Sequence, residues 1–136
     1  MGTGFLMDTS AVIKYLGETF PPQGLTFIDN FINSDCTISF ISEIELQVWK
    51  PANPDNLIVF KQFIANTQII QINDDIIAET IKVRKDYRLK IADAIIAATA
   101  LALNRTLVAD NDRDFTRVPL LQYINPRKIQ TPGKDT

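Results

Sequence analysis

Lys90-Ile91-Ala92-Asp93-Ala94-Ile95-Ile96-Ala97 places a single carboxylate at the head of a segment that is otherwise apolar as far as Leu103. From Ala92 to Leu103 there is no other charge, and Ile95, Ile96, Thr99 and Leu103 recur at helical spacing. A helix this apolar is buried over much of its circumference. An acid in its first turn gains from the free N–H groups and the positive dipole end there. Asp93 therefore needs nothing beyond a capping role, unless other acids join it.

Working outward, Asn104 suits a C-cap, and Thr106 to Ala109 reads as a short strand. That strand runs into Asp110-Asn111-Asp112-Arg113-Asp114-Phe115, the densest acidic cluster in the chain. Upstream, Asp74 is expected to open a helix reaching about Asp86. Lys82, Arg84, Lys85, Arg88 and Lys90, five of the 14 basic residues, then lead directly to Asp93. Such a run is ordinarily a solvated face; its functional reading is contact with substrate phosphates.

Phe5-Leu6-Met7 reads as a central strand buried on both faces, ending at Asp8. Thr9 or Ser10 is expected to cap the helix that follows, to about Leu16. Gly17 and Pro21-Pro22 break the chain, and Leu25 to Asn33 fits a second helix. Thr37 to Ile41 is β-prone; Ser42 suits the next N-cap, with Glu45 three residues on as its capping-box partner. A helix is expected over Asn56 to Ala65, a strand over Gln68 to Ile72 and an edge strand over Leu120 to Ile124.

Strands alternating with helices specify an α/β fold with a parallel sheet covered on both faces. Asp8, Glu45 and the acids of 110–114 each follow a strand, so a parallel sheet gathers them along one edge, where such folds bind ligands. The first turn of the Asp93 helix can face the same place.

With 136 residues and 46% hydrophobic content the chain suits a single domain with a real core. A net charge of −2 gives no global attraction to nucleic acid, so any such contact depends on a local patch. A single Cys36 rules out an internal disulfide framework and fits a reducing compartment. The absence of His removes imidazole acid–base chemistry and His-containing metal sites. With no secretory signal pattern and no membrane-length apolar stretch, a cytoplasmic protein is expected.

Carboxylates packed together repel one another unless protons or cations intervene. An oxygen-only ligand set favours Mg²⁺ or Mn²⁺, which keeps several waters and shares its site with substrate phosphate. Such an ion activates water and stabilises charge on a phosphodiester, which points to metal-dependent phosphodiester hydrolysis.

Four stretches add to this: Leu6-Met7-Asp8-Thr9-Ser10-Ala11-Val12-Ile13, Ile38-Ser39-Phe40-Ile41-Ser42-Glu43-Ile44-Glu45-Leu46, Ile91-Ala92-Asp93-Ala94-Ile95-Ile96-Ala97-Ala98, and Leu107-Val108-Ala109-Asp110-Asn111-Asp112-Arg113-Asp114-Phe115. In this order they resemble the motifs of PIN-domain ribonucleases, in particular the VapC-like toxins of toxin–antitoxin pairs. The likeness spans about residues 5 to 125. It implies a three-layer α/β/α fold with a central, mainly parallel sheet of four to five strands. A nuclease domain over 1–125 follows from it, and since the chain turns polar from Pro126, a partly flexible tail is expected over 126–136. The likeness also implies an Mg²⁺ or Mn²⁺ site, cleavage of single-stranded RNA by a metal-activated water, an antitoxin partner and a homodimer.

Carried over by position, Asp8, Glu45 and Asp93 are the implied metal ligands, and Asp112 or Asp114 the fourth. Thr9, Ser10, Ser42 and Asn111 are the implied supporting polar groups. Ala109 stands where the family usually has a hydroxyl residue, and Ser10 where Asn is commoner. An alternative is an interaction module that keeps the fold with little or no activity. An aspartyl phosphatase would want an acid at Ser10, and a receiver domain would want paired acids before its first helix; both are disfavoured.

Overall fold

The structure, a computed structural model, describes residues 4–129. Its centre is a fully parallel sheet of five strands: β1 (Phe5–Met7), β2 (Cys36–Ser39), β3 (Gln68–Ile70), β4 (Thr106–Val108) and β5 (Tyr123–Ile124). Seven helices connect the strands among the described residues: α1 (Thr9–Leu16), α2 (Pro22–Asp29), α3 (Phe40–Val48), α4 (Asn56–Ala65), α5 (Asp74–Tyr87), α6 (Ile91–Leu103) and α7 (Asp112–Phe115). The strand order is β3-β2-β1-β4-β5. The chain thus builds outward from β1 to β3, then returns to pair β4 with the free side of β1, Leu6 against Leu107.

Alternation along the strands divides the core in two. Leu6 and Leu107 point to one face, where they pack with Val83, Ile96, Ala97 and Phe115. Met7 and Val108 point to the other, against Val12, Ile28, Phe31 and Leu46. Side chains of successive strand residues alternate between faces, so a three-residue strand can feed both cores. Fully burying a Leu or Phe is worth roughly 1.5–3 kcal/mol, and Leu6, Met7, Leu107 and Phe115 are all inaccessible to solvent. The three-layer α/β/α arrangement expected from the sequence is present.

Several boundaries differ from expectation. Asp8 itself, not Thr9 or Ser10, caps α1: its carboxylate accepts from the Ala11 N–H at 2.8 Å. Ser39, not Ser42, caps α3, so the helix starts earlier and no Ser42–Glu45 capping box exists. Asp74 opens α5 as expected, with Asn73 as its N-cap, and the helix ends at Tyr87. The second helix starts at Pro22, where a proline suits the first turn, and stops at Asp29. The strands β3, β4 and β5 are each shorter than the β-prone runs that contain them, and β2 starts one residue before its run and stops two residues short of its end. Asn104 does cap α6, in the left-handed conformation.

Beyond β5, Pro126–Lys128 form a 3₁₀ turn packed on α2, so the fold continues past residue 125. A methyl group on Gly24 would stand 2.3 Å from the Pro126 carbonyl oxygen, and glycine alone allows that approach. Of the tail expected to be partly flexible over 126–136, residues 130–136 lie outside the described residues. No helix among the described residues is long and apolar enough to cross a membrane.

Candidate metal centre

The switch from β1 to β4 opens a crevice at the carboxyl edge of the sheet, the usual ligand position in such folds. Asp8 leaves β1 there, tied by its N–H to the Val108 carbonyl of β4 at 3.1 Å. Because α6 feeds β4 through a two-residue turn, its last residues lie at the amino edge and its first turn at the carboxyl edge. That brings Asp93 to the same crevice. A cleft of about 320 Å³ results, with Asp8, Glu45, Asp93 and Asp110 on its walls. Thr9, Ser10 and Asn111 add polar groups, and Ile13 and Ile96 add apolar surface.

The acids around this cleft fall into two sets. Among the described residues Asp8, Glu45 and Asp93 make no ion pair, whereas Asp110, Asp112 and Asp114 each make at least one. Asp8 is buried, and burial drives its carboxyl up to about 7. The Ala11 N–H and Ser10 hydroxyl partly offset that rise, and the charges of Asp93 and Glu45 add to it. Asp93, half-buried, is also raised, by burial first and then by the charges of Asp114 and Glu45, against Lys90. Glu45 thus acts on both Asp8 and Asp93, while Asp93 acts on Asp8 and Asp114 on Asp93.

Thr9 links α1 to α3 at the cleft wall. Its hydroxyl donates to Glu45 Oε1 and lies 3.0 Å from the buried Ser42 Oγ. Ser42 is thus a support inside α3, and Glu45, in the helix's second turn, is a cleft residue held in place by Thr9. The earlier start of α3 puts both side chains there.

Of the two candidates for a fourth acid, only Asp114 acts on this cluster. Its Oδ2 accepts from Asn111 Nδ2 at 3.1 Å, and its charge is the largest raising Asp93 after burial. Asp112 is occupied elsewhere. Tyr123 Oη donates to it at 2.7 Å, Asn125 Nδ2 at 3.0 Å, and Lys128 pairs with its other oxygen. Lys128, Asn125 and Tyr123 together lower its carboxyl to about 2. The basic residues of the run 82–90 are exposed, mostly on α5, and only Lys90 exerts a field on a cleft acid.

Asp110 lies at the expected sheet edge with the other acids of 110–114 although it was not among the implied ligands, and Lys14, Tyr123, Asn125 and Arg127 carried no functional expectation from the sequence. Burial acts to raise the Asp110 carboxyl, but Arg127, Lys14 and Asn125 outweigh it and hold the group well below the usual carboxylate range. Lys14 lies one helical turn from Ser10, so helical spacing could have placed it near the cleft. Arg127 and Asn125 come from the far end of the chain and carry no local signal.

A hard divalent cation suits the donor set. The unpaired groups are carboxylates supported by hydroxyls, with a buried Asp8 that needs a proton or a cation to relieve it. Among the described residues no group of three or more acidic or thiol side chains stands close enough together to hold a metal ion by itself. A site of few carboxylates completed by waters and substrate phosphate is the Mg²⁺ pattern.

The family model described as PIN domain matches residues 5–121. No curated protein sequence matches the chain significantly. Among solved structures, DNA-bound VapBC from Salmonella typhimurium is similar, with TM-score 0.77 and 24% identity over 90% of this chain and 98% of that one. A toxin–antitoxin complex from Klebsiella pneumoniae has 27% identity and TM-score 0.69 over 93% and 100%. VapBC-1 from nontypeable Haemophilus influenzae has 23% identity and TM-score 0.75 over 91% and 98%.

Proposed function

The chain belongs to the PIN-domain family, and from that premise we propose that it is a metal-dependent endoribonuclease cleaving single-stranded RNA, the toxin of a toxin–antitoxin pair. The observation that carries this reading is the cleft at the β1–β4 crevice, where Asp8, Glu45 and Asp93 converge without a cationic partner among the described residues.

In this reading Asp8 and Asp93 hold Mg²⁺ or Mn²⁺, with Asp114 as the fourth acid, acting on Asp93 and positioned by Asn111. When bound, the ion supplies Lewis acidity that acidifies a water and stabilises charge building on the phosphodiester. Thr9 restrains Glu45 Oε1, which leaves the second carboxylate oxygen to orient the attacking water and accept its proton. Ser10 and the Ala11 N–H keep the Asp8 carboxylate in one orientation.

An antitoxin and a second copy of the chain are the proposed protein partners, in a cytoplasmic setting where RNA is the substrate. The relatives from Salmonella typhimurium and Klebsiella pneumoniae were solved as VapBC and toxin–antitoxin complexes. Exposed apolar side chains support such partners: Ile44 and Val48 on α3, Ile58 on α4, and Ile77 and Ile81 on α5.

The test is cleavage of single-stranded RNA by purified protein with Mg²⁺ or Mn²⁺, beside Asp8→Asn and Asp93→Asn. Activity that survives EDTA, or that Asp93→Asn retains in full, sinks the reading. Expression in bacteria should arrest growth with the wild type only. RNA binding without turnover would favour the inactive interaction module instead.

A further inference from the structure

An acid-lined cleft repels the RNA backbone it is proposed to cut, so cations must stand close by to hold the flanking phosphates. The run 82–90 lies on an exposed face, with only Lys90 reaching a cleft acid by its field. Positive charge reaches the cleft wall from two other elements. Lys14, in the last turn of α1, sets Nζ 2.5 Å from Asp110 Oδ2. Arg127, in the turn after β5, brings Nε to 2.9 Å and Nη2 to 2.8 Å of the same oxygen.

Two full cations therefore share one carboxylate, leaving one positive charge in excess beside the cleft that Asp110 lines. The neighbouring Lys128–Asp112 pair neither adds to nor subtracts from that excess. Asn125 fixes the other Asp110 oxygen at 2.9 Å, so the carboxylate cannot swing away. Both cations keep donors in reserve: an ammonium has three N–H groups and a guanidinium five. Their side chains are 34% and 46% exposed, so a ligand can reach them.

We propose that Lys14 and Arg127 form an RNA-phosphate subsite beside the carboxylate cleft, with Asp110 holding both cations in place and competing with the phosphate for them. This rests on the ribonuclease reading for its ligand but on a separate set of residues. The bland alternative is a staple that only ties the C-terminal turn to α1.

Binding of a fluorescein-labelled single-stranded RNA of mixed sequence, followed by anisotropy in EDTA across a salt series, separates the two. For the full chain carrying K14Q/R127Q, affinity should fall about tenfold near 0.1 M salt, and the slope of log K on log salt should flatten by about 0.7 for each phosphate that is no longer neutralised. D110N, which frees both cations, should tighten binding severalfold. A folded K14Q/R127Q protein with wild-type affinity overturns the proposal, as does weaker or unchanged binding by D110N. Should the double variant fail to fold, the D110N arm decides alone. Cleavage that persists unaltered in K14Q/R127Q sinks the subsite and spares the ribonuclease reading. Binding that depends on Lys14 and Arg127, without metal-dependent cleavage, does the reverse. A wild type that binds no RNA removes both.

Discussion

Asp8→Asn in metal-free protein should remove a pH-dependent loss of stability that the wild type cannot avoid. The carboxyl is held at about 7 by burial, against about 3.9 in an unfolded chain. Between these values the folded state keeps a proton that the unfolded state has released. The stabilisation is therefore complete below about pH 4 and is lost as pH rises through about 7. Integrating the difference in bound protons from about pH 5 to pH 8 gives a loss of roughly 2.5 kcal/mol. For a domain of this size that is about 9 °C in melting temperature. Asn keeps the shape and still accepts the Ala11 N–H as N-cap, but it does not titrate. Asp93, also raised, contributes with the same sign in both proteins, so the difference between the two curves reports Asp8 together with its coupling to Asp93 and Glu45. Thermal melts of wild type and Asp8→Asn in EDTA at several pH values provide the measurement, with the gap opening in favour of the variant as pH rises. Saturating Mg²⁺ should close it, because the ion favours the ionised carboxylate. Parallel curves over the whole range would refute the assignment of Asp8 as a buried, unrelieved acid.

Mg²⁺ or Mn²⁺ should raise the melting temperature of the wild type, by the equivalent of about 2.7 kcal/mol at a hundredfold excess over Kd. Asp93→Asn should abolish the rise and EDTA should reverse it; an equal rise in that variant would remove Asp93 from the site. Asp114→Asn should lower the rate of RNA cleavage about 10- to 100-fold. Asp112→Asn should lower it far less while weakening the hold on Lys128, Tyr123 and Asn125, and the opposite ranking would exchange the roles of the two acids. Gly24→Ala should destabilise by about 1–3 kcal/mol in urea unfolding through its clash with Pro126, although helix propensity alone favours Ala by about 1 kcal/mol. A stabilised variant would show that the turn after β5 yields freely.

The helix bearing Asp93 was legible because an uncharged apolar run of this length is buried wherever it packs. Ile96 and Thr99 of its expected core face are buried, but Ile95 and Leu103 are only half-buried, and the small residues Ala94, Ala97, Ala98 and Ala100 are buried beside them. N-caps were less legible. Ser and Asp residues stand at consecutive or nearby positions, and the backbone angle that selects one of them is set by where the preceding strand ends. For α3 that shift of three residues turns Ser42 from a cap into a buried support and Glu45 from a capping partner into a cleft acid.

The layered α/β class and the gathering of Asp8 and Glu45 toward one sheet edge could be read from local periodicity and from the common direction of parallel strands, whereas the arrival of the Glu45 side chain and of the Asp93 turn in one cleft came with the tertiary packing. Which charges neutralise which was decided by the tertiary structure. Asp110, Asp112 and Asp114 lie within five positions of one another in the chain, yet one is clamped by Lys14 and Arg127, one by Lys128 and Tyr123, and one extends its field to Asp93. The physical reason is range. Hydrogen-bonded and apolar patterns are written between near neighbours, whereas an ion pair depends on distance in space, and Arg127 meets Asp110 only once β4 and β5 lie side by side.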